Sequence, residues 1–142
     1  MGPVRRALVI VAACVAAFVI PAQAADAPVA ARLIRCHQHP DQAKRFAIFE
    51  GEMHGSRTVR MEIRFDLQRS EEGGAYSTVY APGLEVWNRA AAHVVDYRFR
   101  KRVENLPAPA RYRALVRYRW RRPGGAILRR LRALTPVCEQ PG

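Results

Sequence analysis

Apolar and polar side chains alternate along most of the chain beyond residue 32. The clearest run is 58–68. There Val59, Met61, Ile63, Phe65 and Leu67 fall on one side, and Arg60, Glu62, Arg64, Asp66 and Gln68 on the other. A period of two is the signature of a strand with one dry and one wet face. Residues 111–121 repeat it, with Tyr112, Ala114, Val116, Tyr118 and Trp120 against Arg113, Arg117, Arg119 and Arg121. Residues 94–103 do so again, with Val95, Tyr97, Phe99 and Val103 against Asp96, Arg98, Arg100 and Arg102. Lys101 interrupts the inward series near the strand's end, where its long stem can carry the ammonium to water. Shorter strands are expected at 32–38, at 45–53 (Phe46, Ile48 or Phe49, and Met53 inward), around 76–80 and around 84–88. Turn chemistry separates them: His39-Pro40-Asp41, Gly55-Ser56, Gly73-Gly74, Pro82-Gly83, Pro107-Ala108-Pro109 and Pro123-Gly124-Gly125. About seven short strands at this spacing predict an all-β antiparallel sandwich.

One segment fits two periods. In 126–134, Ile127, Leu128, Leu131 and Leu134 share a helical face beside Arg129, Arg130 and Arg132. Read as a helix, it is basic and amphipathic and suits a membrane surface. It follows a Pro-Gly-Gly turn directly after a strong strand, however. The returning arm of a hairpin is therefore the expectation.

The first residues follow different rules. Arg5 and Arg6 precede an apolar stretch from Ala7 to Ile20, and Pro21-Ala22-Gln23-Ala24 ends in an Ala-x-Ala pattern. This is the layout of a secretory signal peptide cleaved after Ala24. The alternatives are an uncleaved membrane anchor, for which the stretch is short, and lipidation at Cys14, whose following residues stay apolar. The expected division is a signal peptide at 1–24, a flexible leader at 25–31 and one domain at 32–142, with no transmembrane span after cleavage. Secretion or residence in the cell envelope follows.

Composition sharpens this. The 142 residues are 49% hydrophobic and 25% charged, a globular balance. Lysine and arginine number 24 against 12 acids, a formal charge of +12. Cleavage would remove Arg5 and Arg6 and lower it by two. It would also remove Cys14, leaving Cys36 and Cys138. In an oxidising compartment these two are expected to form a disulfide. No Cys-x-x-Cys supports a reactive or metal-binding thiol.

The Leu106-Pro107-Ala108-Pro109-Ala110-Arg111-Tyr112 run has the form of a tyrosine corner. A leucine and a Pro-rich bend precede a tyrosine that opens a long alternating strand, and its hydroxyl bonds back to the upstream backbone. Together with Tyr112-Arg-Ala-Leu-Val-Arg-Tyr-Arg-Trp120, a Gly turn and Thr135-Pro136-Val137-Cys138, this resembles fibronectin type III and related immunoglobulin-like domains. It is similar to small exported modules of the adhesion-related CARDB type. The likeness covers roughly residues 85–140, and the first half by pattern only. No Trp stands in the second strand, where such domains often bury one; Phe46 or Phe49 would take its place. The resemblance implies an immunoglobulin-like (fibronectin type III-like) sandwich. It places Cys36 on the first strand and Cys138 just beyond the last, so that their bridge ties the chain ends together. It also implies binding or display in place of catalysis.

No catalytic pattern competes with that reading. The chain has no Gly-x-Ser-x-Gly, no Gly-rich phosphate loop and no His-Glu-x-x-His. Ser56, Ser70 and Ser77 sit near turns, and Glu50 and Glu52 share a strand face as solvated acids often do. His37 and His39 follow Cys36 and would need His54 or His93 to complete a metal site; no metal and no cofactor is expected. The arginines remain. From Arg98 to Arg132 there are thirteen Lys and Arg and one acid, Glu104, interleaved with aromatics. Those aromatics alternate with the arginines, point into the core, and so cannot stack on bases. If strands 58–68 and 111–121 are neighbours, Glu62 and Asp66 meet arginines across the ladder, and the charge is spread over both sheets. The expectation is a non-enzymatic binding module for a protein or an envelope polymer, not for nucleic acid. The alternative is a cationic envelope protein held electrostatically by anionic polymers or lipid headgroups. Arg113, Arg117, Arg119, Arg129 and Arg130 are the candidate contacts in either case.

Overall fold

The computed structural model describes Gly2 and residues 27–142. The signal-peptide and Cys14 expectations lie outside the described residues. Nine strands build two antiparallel sheets that pack as an immunoglobulin-like sandwich. One sheet has β1 (Val29–His37), β2 (Phe46–His54) and β6 (Asp96–Glu104), in the order β1-β2-β6. The other is centred on β3 (Arg60–Ser70) and β7 (Ala110–Arg121). Its edges are β4 (Ser77–Thr78), β5 (Asn88–Arg89), β8 (Ile127–Leu134) and β9 (Cys138–Gln140).

The alternating runs become the long strands, because each can bury one face and hydrate the other. β3 and β7 pair over eleven positions, from Arg60 opposite Arg121 to Ser70 opposite Arg111. Their inward residues Met61, Ile63, Phe65, Leu67, Tyr112, Val116 and Tyr118 are all within 2% of complete burial. Segment 127–134 is a strand antiparallel to β7, as the hairpin reading expects. Several boundaries differ from expectation: the 94–103 strand starts at Asp96, so Val95, expected inward, lies outside it and is exposed. β1 starts at Val29, inside the segment read as a leader. The strands near 76–80 and 84–88 shrink to two residues each. Beyond Pro136 the chain resumes pairing with β7, as β9.

The phase of β2 is also corrected. Ala47, Phe49 and Met53 are buried with Gly51, whereas Phe46 and Ile48 point out. Phe49 thus occupies the core position open to either phenylalanine. Phe46 lies on the outer surface, with its ring 4.9 Å from that of His37 and the Arg102 guanidinium 3.5 Å from its centroid. Gly51 sets this phase sterically: a Cβ there would stand 2.9 Å from Val116 Cγ1 and 3.0 Å from Ile63 Cγ2 of the opposite sheet.

Polar handles on the β7 aromatics lock the layers. Tyr112 Oη donates to Pro107 O at 2.7 Å, which closes the tyrosine corner over buried Leu106. Tyr118 Oη donates to Ala30 O at 2.6 Å, and Trp120 Nε1 to His54 O at 2.8 Å, both reaching strands of the other sheet. Burial pushes both tyrosine hydroxyls above their usual range, so they stay protonated donors. Cys36 of β1 and Cys138 of β9 are bonded, with Cα atoms 5.3 Å apart, so the bridge also joins the two sheets.

Candidate functional site

The two outer faces hold most of the charge. Each is organised around a buried glutamate. On the three-stranded sheet Glu50 is held by Arg100 (Nε–Oε2 2.6 Å) and Arg32 (3.2 Å), with Arg98 at 3.9 Å. Glu52 beside it takes Arg98 at 3.3 Å and also pairs with Arg32, whose hydrogen bond holds its carboxyl below the usual range. Counting outward positions of β1, β2 and β6, five arginines (Arg32, Arg35, Arg98, Arg100, Arg102) meet four acids (Glu50, Glu52, Asp96, Glu104). The face is close to neutral.

The six-stranded sheet repeats the motif. Glu62 of β3 receives Arg89 at 3.1 Å, Arg121 at 3.0 Å, and Arg119. Burial alone would raise its pKa, but the three guanidinium hydrogen bonds outweigh that and hold it below the usual glutamate range. Four residues along β3, Asp66 takes Arg64 at 2.8 Å and Arg117 at 2.6 Å. Arg111 pairs with Glu139 at 3.2 Å. Among the described strand positions no further acid faces this side. Ten arginines (Arg60, Arg64, Arg89, Arg111, Arg113, Arg117, Arg119, Arg121, Arg130, Arg132) share this face with Glu62, Asp66 and Glu139. The expectation of charge spread over both sheets is therefore corrected: acids on β2 and β6 neutralise one face, and the excess collects on the other.

Aromatic rings lie on this basic face as well. The Arg119 guanidinium sits 3.8 Å from the Trp87 ring centroid and that of Arg113 3.8 Å from the Tyr76 centroid. Both contacts have cation–π geometry. Between β3, β7 and β8 runs an open groove of about 640 Å³, lined by Arg64, Arg117, Arg130, Arg132 and Trp87, with Tyr118 and Leu131 at its base.

Of the five expected contacts, Arg113, Arg117, Arg119 and Arg130 share this face. Arg129 does not. It pairs in register with inward-facing Trp120 and lies over that ring at 5.4 Å. Sequence reasoning missed Arg132, Arg64 and Trp87. For Arg132 the reason is a bulge: register shifts between Trp120 and Arg121, where Arg121 pairs with Ile127 but Trp120 with Arg129. Arg64 and Trp87 join the groove through long-range packing that no local pattern shows. The extra residue at the bulge, Leu128, decides which β8 arginines face outward.

The other candidate chemistry disperses. Ser56 Oγ bonds Thr58 Oγ1 at 2.9 Å, and Ser70 Oγ donates to Gly74 O at 2.6 Å, both in turns. His37 and His39 lie together, while His54 pairs with Asp96 at 2.5 Å and His93 contacts Arg57 O at 3.2 Å. Among the described residues no group of three His, Cys, Asp or Glu is placed to hold a metal ion. Among the same residues no helix is long and apolar enough to cross a membrane. No protein-family model, curated protein or solved structure matches this chain.

Proposed function

We propose that this is an exported, non-enzymatic immunoglobulin-like module of fibronectin type III character that binds an anionic polymer of the cell envelope. Its binding surface is the outer face of the six-stranded sheet. The observation that carries the reading is the contrast between faces: ten arginines against three acids on one, five against four on the other. An uncompensated field of one sign raises the local concentration of polyanions and speeds their capture. Export is supported by the basic, apolar and Ala-x-Ala order of residues 1–24, and by a disulfide of a kind that persists in oxidising compartments. Export, rather than the aromatics, favours an envelope polymer over nucleic acid: the β7 rings are buried, but Trp87 and Tyr76 lie on the basic face.

Two double variants with equal charge loss test the location. Arg130→Gln with Arg132→Gln removes two charges from the basic face, and Arg35→Gln with Arg102→Gln removes two from the neutral face. Binding of a soluble polyanion is measured over a salt series. The expected result is a loss of about tenfold for the first pair and little for the second. Equal losses would show that only total charge matters. Polyanion binding that persists in about 0.5 M salt, where screening is strong, would argue against electrostatic capture by this face.

A further inference from the structure

The groove on the basic face differs from the rest of that face. Arg64 and Arg117 line it, and each commits its Nε to Asp66. That carboxylate is nearly buried, with 5% of its side chain exposed, so its one charge is already shared between them. Each guanidinium retains its terminal N–H groups. Arg130 and Arg132, on the opposite wall, have no carboxylate within ion-pair distance among the described residues. Four guanidinium groups therefore border one groove against a single acid. A carboxylate offers two oxygens and can occupy one such fork. A phosphate offers three or more oxygens in a tetrahedral array and can bridge forks on both walls. The groove's volume of about 640 Å³ leaves space beside a phosphate for the group that carries it, and Trp87 supplies a flat wall there. The Arg119 guanidinium against that ring holds it on the sheet.

The arginines also continue beyond the groove. Arg113 and Arg121 stand eight residues apart on β7, roughly 26 Å at strand rise. One small anion would engage the groove alone, whereas a chain of anions would engage the row.

We infer that the groove between β3, β7 and β8 is a subsite for a phosphate group carried on a soluble polymer, with Arg64, Arg117, Arg130 and Arg132 as its donors and Trp87 as the wall for the adjoining group. This rests on the polyanion reading above and adds the anion's chemistry to it.

The test uses polyphosphate, polyglutamate matched in charge, and phosphatidylglycerol vesicles, at physiological salt. The variants are Arg130→Ala with Arg132→Ala in the groove and Arg60→Ala with Arg113→Ala elsewhere on the same face, each checked by thermal melting. The wild-type protein is expected to prefer polyphosphate over polyglutamate by about tenfold. The groove pair should lose about tenfold for polyphosphate, and the distant pair about two- to threefold. Polyphosphate should also change the intrinsic fluorescence of the wild-type chain, with most of that change absent in Trp87→Phe. Equal losses in both pairs with no preference between polymers would overturn the phosphate subsite and leave the polyanion reading standing. No binding of either polymer at low salt would overturn the polyanion reading itself. Tighter binding to vesicles than to polyphosphate at equal phosphate would overturn the soluble polymer as its source. An unchanged fluorescence response in Trp87→Phe would overturn the wall.

Discussion

The two outer faces of this sandwich share one device and differ in what surrounds it. On each, a glutamate of a central strand is almost fully buried beneath three arginines. Around Glu50 the neighbouring acids Glu52, Asp96 and Glu104 match the remaining cations. Around Glu62, among the described strand residues, Asp66 and Glu139 do so, and the cations outnumber them. An ion-pair cluster is thus compatible with a nearly neutral face and with a strongly basic one. The unpaired remainder distinguishes them, and Arg130 and Arg132 on β8 supply part of it.

The strongest perturbation separates the faces physically. Cys36 and Cys138 tie β1 of one sheet to β9 of the other. Replacing both with alanine should lower stability by up to about 4–5 kcal/mol, the loop-closure value for about 100 residues, read by denaturant unfolding. A loss near zero would mean that the core and the β7 hydrogen bonds suffice. Next come the two anchors. Glu50→Ala and Glu62→Ala should each cost about 2–3 kcal/mol, below the fully buried value because most of the freed guanidinium groups can hydrate. Their binding effects should diverge: polyanion affinity rises in Glu62→Ala and stays flat in Glu50→Ala. A rise in both would erase the distinction between the faces.

Acid should weaken both faces together. The carboxyls of Glu62 and Glu52 titrate below their usual range in the folded chain. A lowered folded pKa contributes stability that is present above the unfolded value and lost as pH falls through the folded one. Melting temperature should therefore hold above about pH 5 and drop below about pH 4. A melting temperature that is flat down to pH 3 would refute it. The smallest effect is expected for Tyr118→Phe, which removes the hydroxyl that reaches Ala30 across the sheets. About 1 kcal/mol should be lost, with polyanion binding unchanged.

Much of the architecture was legible in the chain. The alternation of 58–68 and 111–121 specified two strands and the inward face of each, and the Leu106-to-Tyr112 run announced the bend that Tyr112 closes. Period-two patterning is local, and a buried face leaves one phase available. The pattern failed where strands are short or apolar on both sides. In β2, Phe46, Ile48 and Phe49 offer two phases, and only contact between Gly51 and Val116 selects one. The edge strands β4 and β5 have too few residues to show a period.

The chain alone therefore determined that the protein is an all-β sandwich, that the aromatics of the 58–68 and 111–121 runs are core, and that arginine dominates its wet positions. All three depend on neighbours in sequence and on the energy of burying apolar surface. Only the tertiary structure decided where the charge gathers. That required the partner of each strand, the register of β3 on β7, and the bulge at Leu128 that turns Arg130 and Arg132 outward and Arg129 inward. Charges cancel or add by distance in space, and a strand's spacing says nothing about what lies across the ladder.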